Sequence, residues 1–204
     1  MIQLTSIDLI ENRPFTHLHH NARDLVHLER ARQHLVRALE ALTPDAIDCQ
    51  HHLELSDEGG HGARLIILRP RAILEAPMLT VVGFCGQKRV PLQDAEQNEM
   101  AQVDAALVTE LCDHSDMLSY CSVEDEHKNW CNLVLMTRQE AIQHWRASER
   151  HQQAVDSLTP RFYRHIRLHN GILAQGLTSE KIVLTSTKYY DFEDTTVWRA
   201  IRNF

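Results

Sequence analysis

The 204-residue chain carries 21 Lys+Arg against 28 Asp+Glu, a formal net charge of −7 with histidine neutral, and is 43% hydrophobic and 24% charged. This is the composition of an average globular domain able to bury a real core, and no apolar run approaches the roughly 18 residues needed to cross a bilayer. The acidic balance excludes a duplex nucleic-acid binder, which needs a basic footprint.

The opening MIQLTSIDLIENRP has no basic stretch followed by an apolar one, so no signal peptide is expected. Five cysteines without a C-x-x-C pair fit reduced, buried thiols and a cytoplasmic location better than a disulfide framework or a zinc ribbon. Fourteen histidines are the one compositional excess and direct attention to haem, metal or proton chemistry.

In chain order, residues 2–10 alternate loosely and read as a strand. Residues 20–42 are the clearest helix, with Leu25, Leu28, Leu35, Leu39 and Leu42 at helical spacing. Thr43-Pro44 ends it, because proline disfavours helical geometry in the residue before it. Strands are expected at 47–55 and 63–69 around a turn at 57–60, followed by a proline connector between Pro70 and Pro77. Residues 78–85 (MLTVVGFC) read as a buried strand and 94–113 as a helix carrying Met100, Val103, Leu107 and Leu111. A hairpin pairs 117–124 with 130–137, a helix occupies 138–157, and strands follow at 161–173 and 181–192.

The second half therefore reads β-α-β-β-α-β with a trailing strand, the split βαβ pattern of an α+β, ferredoxin-like fold. The first half reads β-α-β-β, a degenerate copy of the same unit. The division expected is 1–76 for that half and 77–204 for the ferredoxin-like domain.

Alternation along 161–173 sets Phe162, Ile166 and Leu168 on one side and Tyr163, His165, Arg167 and His169 on the other. The apolar row should pack on the helices. The polar row faces either water or the interior of a barrel, where a phenol, imidazoles and a guanidinium suit an anion, a propionate or an oxidisable aromatic.

From Met78 to Phe192 the chain resembles the dimeric α/β-barrel superfamily, in particular the antibiotic-biosynthesis-monooxygenase and haem-degrading-monooxygenase group. The resemblance is carried by NWCNLVLMTRQEAIQHWRASERHQQAV, from Asn129 to Val155, and by PRFYRHIRL. Trp145 and Ser148 match the family's W-x-x-S, and His151 lies on the same helix. The resemblance implies a barrel closed between two chains or two halves, a homodimer, and a small planar aromatic or haem ligand beside Trp145. Haem cleavage is not carried over, because MLTVVGFC holds no Asn and the position ten residues after Trp145 is Val155.

Two functional expectations follow. As a cofactor-independent monooxygenase, His151 or His165 would remove a proton while Tyr163 and Arg167 orient the substrate and stabilise its charge. As a haem protein, His151, His165 or His169 would ligate iron and Arg167 would pair a propionate. No separate metal site is expected. The rival expectation is a non-catalytic dimerising module that binds a small ligand or a partner. His20, His27 and His34 repeat every seven residues and are expected on a boundary or solvent face of the first helix. Nucleotide-binding and hydrolase motifs are absent.

Overall fold

The computed structural model describes residues 1–56, 60–90 and 94–204, without the side chains at 94, 145, 146 and 150. Most of the expected turn at 57–60, and the side chain of Trp145, therefore lie outside the described residues.

Helix α1 (Leu18–Glu40) follows β1 (Ile2–Leu4), and β2 (His51–Ser56) and β3 (Gly62–Ile67) form the next hairpin. The proline connector is a short helix α2 (Pro70–Glu75), whose missing N–H at Pro70 costs nothing in a first turn. Then come β4 (Leu79–Lys88), α3 (Asp94–Asp113), β5 (Met117–Glu124) and β6 (Trp130–Met136). The helix expected at 138–157 is broken into α4 (Ala141–Arg146), α5 (Glu149–Gln153) and a π-helical turn (Ala154–Leu158). Thr159-Pro160 themselves open a further turn, α6 (Thr159–Phe162), which leads into β7 (Tyr163–Leu177), because proline is tolerated at a helix start. Strands β8 (Val183–Asp191) and β9 (Trp198–Asn203) close the chain.

Among the described residues nine strands form one mixed sheet in the order β1-β9-β8-β7-β4-β6-β5-β3-β2, so the fold is α+β. Its centre, β7-β4-β6-β5, is antiparallel and has the strand order of the split βαβ pattern. Elements from both sides of residue 76 share this sheet. Strand β1 pairs in parallel with β9 at one edge, while β2 and β3 extend the other beyond β5.

Helix α1 covers one sheet face. Leu28, Ala31, Leu35 and Leu39 recur at three- and four-residue spacing and bury themselves on Leu65, Val81, Leu133 and Leu135. Each such leucine contributes about 1.5–3 kcal/mol by leaving water. Gly83 lets the helix come this close, since a β-carbon there would lie 2.5 Å from Leu28 Cδ1. Helices α3 and α4 lie over the opposite face. There Leu111, Ala141 and Ile142 meet Ile66, Met117 and Met136. Among the described residues no helix is long and apolar enough to cross a membrane.

Candidate functional site

The two sheet faces carry different chemistry. On the α1 face, pairing aligns Cys85 with Arg167, Gly83 with His169, Arg167 with Tyr189 and His169 with Thr187. Helix α1 brings Asn21 and Asp24 down onto this patch, and both are buried. Asp24 accepts two hydrogen bonds from Arg167, of 2.5 and 2.8 Å, and a third of 2.8 Å from His169 Nε2. Thr187 Oγ1 lies 2.9 Å from His169 Nδ1, and Asn21 bridges Thr187 to the Tyr189 hydroxyl.

Thr187, His169 and Asp24 thus follow the hydroxyl–imidazole–carboxylate order of a hydrolytic triad. Every member is 0–3% exposed, so no substrate reaches the hydroxyl. The ring is also turned about, with Nδ1 rather than Nε2 towards the hydroxyl. Ligand atoms of Asp24, Cys85 and His169 lie within 4.8 Å of one another. The neighbouring guanidinium of Arg167, hydrogen-bonded to the same carboxylate, opposes a second cation there. Burial pushes the Cys85 thiol well above its ordinary pKa, away from the thiolate a metal requires. This patch is a satisfied polar network that pins α1 to the sheet.

On the other face α3 stands off the sheet and encloses a cavity of about 1260 Å³. Its floor is made by the outward residues of β3 to β8, among them Arg64, Phe84, Ser122, Asn132 and Leu168. One wall is α3 with Met100, Asp104 and Leu107, and another is α5 with the π-helical turn, which contributes His151, Val155 and Leu158. Arg64 holds Asp104 through two hydrogen bonds of 2.5 and 3.1 Å, and Tyr120 lies 3.4 Å from the same carboxylate. Burial, and then the charge of Asp104, push the Tyr120 and Tyr163 hydroxyls above the ordinary phenol value, so both stay protonated. At the β5–β6 loop the cations Lys88 and Lys128 and the exposed imidazole of His127 also border the cavity.

The expected site residues divide between these faces. His151 borders the cavity, and its backbone N–H donates to the Ser148 hydroxyl 3.2 Å away. Tyr163 does not share a row with His165, Arg167 and His169. The β4–β7 register shifts at Gln87/Lys88, so Arg164 takes up an extra position and Tyr163 falls on the cavity face. Its ring packs edge-on to Phe84 at 5.4 Å and fills the space above Gly86.

His165, Arg167 and His169 are on the α1 face. His165 stacks on Phe15, with ring centroids 4.3 Å apart. Burial, reinforced by the charge of Arg167, holds its pKa at about 3. On the first helix His27 is buried rather than exposed. Arg64, Asp104, Ser122 and Asn132 were not anticipated, although strict alternation in 117–124 and 130–136 already puts Tyr120, Ser122, Asn132 and Val134 on one face.

No family model and no curated protein matches the chain. Among solved structures it is similar to protein SO0527 from Shewanella oneidensis, with 9% identity and a TM-score of 0.37 over 48% of this chain and 94% of that one. An aldoxime dehydratase shares 11% identity at a TM-score of 0.27, covering 71% of this chain and 35% of the dehydratase.

Proposed function

We propose that the cavity beneath α3 binds a planar, largely apolar ligand and that His151 is the imidazole that acts on it. The observation that carries this reading is the cavity itself: aromatic and aliphatic walls, a few convergent polar groups, and His151 on α5 at its border. Small-molecule sites commonly have this make-up, and a lining of Phe84, Tyr163 and Leu168 favours flat rings.

Haem fits this donor set. His151 would hold the iron and Lys88 would pair a propionate, whereas Lys128 is already paired with Glu124 and Arg167 with Asp24 across the sheet. When bound, haem supplies iron-centred redox chemistry. With a smaller, electron-rich aromatic ligand, His151 serves instead as the base that takes a proton from it, leaving an anion able to react with oxygen. The protonated hydroxyls of Tyr120 and Tyr163 are available as donors to a developing negative charge.

The test is a haemin titration of tag-free protein followed by absorption. Saturation near one haem per chain is expected to give a sharp, shifted Soret band that is lost in His151→Ala and retained in His165→Ala. Equal loss in both variants overturns the assignment of His151. A broad, unsaturable response removes haem and leaves the smaller aromatic ligand, followed by oxygen uptake with phenolic substrates. Oxygen uptake unchanged in His151→Ala would overturn the catalytic reading.

A further inference from the structure

Alternation along β4 sets Val82, Phe84, Gly86 and Lys88 on the cavity face, and the cavity changes character along that line. At the Val82 end it is aliphatic, with Val134, Met136, Met117 and Leu111 around it. In the middle lie the rings of Phe84 and Tyr163, packed edge to face. At the far end, where β4 stops, two successive cations border the cavity, Lys88 and Arg89.

Both are half-buried, and among the described residues neither has a carboxylate within ion-pair distance. The Lys88 ammonium donates one hydrogen bond, of 2.7 Å, to the Lys128 carbonyl, which leaves two of its donors open. Arg89 donates to the Pro160 and Phe192 carbonyls at 3.1 and 2.7 Å. These carbonyls orient the two side chains without cancelling their charge. The acids around them are engaged elsewhere. Glu124 holds Lys128 and the Gly62 N–H, Asp125 accepts from the His127 and Asn129 N–H groups, and Asp104 holds Arg64. The other lining acids, Glu54 and Asp156, are exposed and pair with neither cation. Burial pulls the Lys88 pKa down despite the more distant charges of Glu124 and Asp125.

An ammonium partly taken out of water is costly without a counter-charge, and a bound anion removes that cost. Charged groups placed at one end of an apolar cavity fix which way a ligand lies. A carboxylate suits this end, since it can accept charge-assisted hydrogen bonds from Lys88 beside the second positive charge of Arg89.

We infer that the cavity selects a planar ring system bearing a carboxylate, with the acid group against Lys88 and Arg89 and the ring on Phe84 and Tyr163. The inference rests on the cavity being a planar-ligand site and names the class of ligand it takes. A small aromatic acid and a haem propionate share this chemistry. Lys88 is then the residue that determines specificity, while the aromatic and aliphatic walls supply affinity for any flat apolar body.

Three probes with one ring skeleton separate charge from shape: quinoline-2-carboxylate, quinoline-2-carboxamide and quinoline, measured by equilibrium dialysis against the full tag-free chain at low salt. The wild type should bind the carboxylate about tenfold tighter than the isosteric carboxamide, the effect of a charge-assisted hydrogen bond. In Lys88→Met that preference should fall to about twofold or less while quinoline binding is unchanged, and Lys128→Met should keep it. Equal binding of carboxylate and carboxamide by the wild type overturns the inference and leaves the cavity reading standing. Equal loss of the preference in both lysine variants overturns the assignment to Lys88. Haemin binding weakened in Lys88→Met by a similar factor identifies a propionate as the source of the carboxylate. Haemin that binds unchanged or not at all, with the carboxylate preference intact, identifies a small aromatic acid. If neither haemin nor any of the three probes binds, the cavity reading falls and the inference with it. The wild-type ratio alone decides the matter should a variant fold poorly.

Discussion

Asp24 and Arg167, 143 residues apart in the chain, are joined by two parallel hydrogen bonds of 2.5 and 2.8 Å beneath helix α1. The pair ties the first helix to the strand that runs through the middle of the sheet. With side chains only 3% and 12% exposed, neither charge can turn to water if the other is removed.

Replacing Asp24 by Asn should therefore be costly. It leaves a buried guanidinium with no counter-charge, a change expected to cost about 3–5 kcal/mol by urea unfolding at neutral pH. Burial raises the Asp24 pKa, but the hydrogen bonds from Arg167 and His169 outweigh it and hold the value at about 2, below the ordinary 3.8. A depressed carboxylate pKa contributes stability that is present above the unfolded value and lost as pH falls through the folded one. The difference between wild type and Asp24→Asn should accordingly shrink between about pH 4 and pH 2. A constant difference across that window would show that charge is not what the pair contributes.

His165 governs a separate, milder window. Its folded pKa of about 3 lies far below the ordinary 6.5, so the unfolded chain binds a proton that the folded chain does not. Stability then rises with pH across this range and is lost on acidification from about 6.5 downwards, with a slope of at most about 1.4 kcal/mol per pH unit from this residue. His20, held at about 4 chiefly by burial, adds to the same slope at its upper end. His165→Gln should flatten the stability–pH curve between about pH 6.5 and 4. It should leave ligand binding unchanged, since the cavity is on the other face. Urea titrations at several pH values, with a parallel ligand titration, measure both. An unchanged slope would remove His165 as the titrating group.

The elements of this fold were more legible than their company. The leucines of α1 and the span of α3 could be read from periodicity, and MLTVVGFC announced a buried strand. Partnership across long sequence separations could not be read. Asp24 looks like an ordinary polar residue of a surface helix until β7 is placed under it. Strand β9 escaped because WRAIRN carries two arginines, one of which, Arg202, is buried. The row containing Tyr163 was misjudged because strict alternation has no means of anticipating the extra residue at Arg164. Half of the cavity floor, Tyr120, Ser122 and Asn132, was open to the same alternation rule. The pairing of Arg64 with Asp104 needed the sheet order to bring β3 beneath α3.

That pairing makes a third prediction possible. Asp104 neutralises the guanidinium that borders the cavity, with side chains 30% and 33% exposed, so the charge is partly wet and partly screened. Asp104→Ala should release Arg64 and turn a neutral floor into an anion-binding one. Affinity for quinoline-2-carboxylate is expected to rise about tenfold at low salt and to fall back towards the wild-type value at high salt, while quinoline is unaffected. Equilibrium dialysis at two ionic strengths measures this. A gain that persists undiminished at high salt would show the effect to be one of added space, not of charge.

Arg202 presents the opposite problem to Asp24. Its side chain is fully buried on the α1 face between Thr187 of β8 and Leu4 of β1. Nη2 donates to the Asp8 carbonyl at 2.9 Å, but Nε and Nη1 find no hydrogen-bond partner, and the cation's other support is the charge of the Asp8 carboxylate and the ring of Tyr189, 5.9 Å away. A guanidinium taken out of water with two nitrogens unpaired contributes little that a flexible apolar side chain of similar length would not. Arg202→Met should consequently leave the unfolding free energy unchanged or raise it by about 1–2 kcal/mol, because desolvation of the charge is removed while the packing against Tyr189 is largely kept. Urea unfolding of the variant beside the wild type measures it. A loss of more than about 1 kcal/mol would mean that the bond to Asp8 and the contact with Tyr189 outweigh the cost of burying the charge.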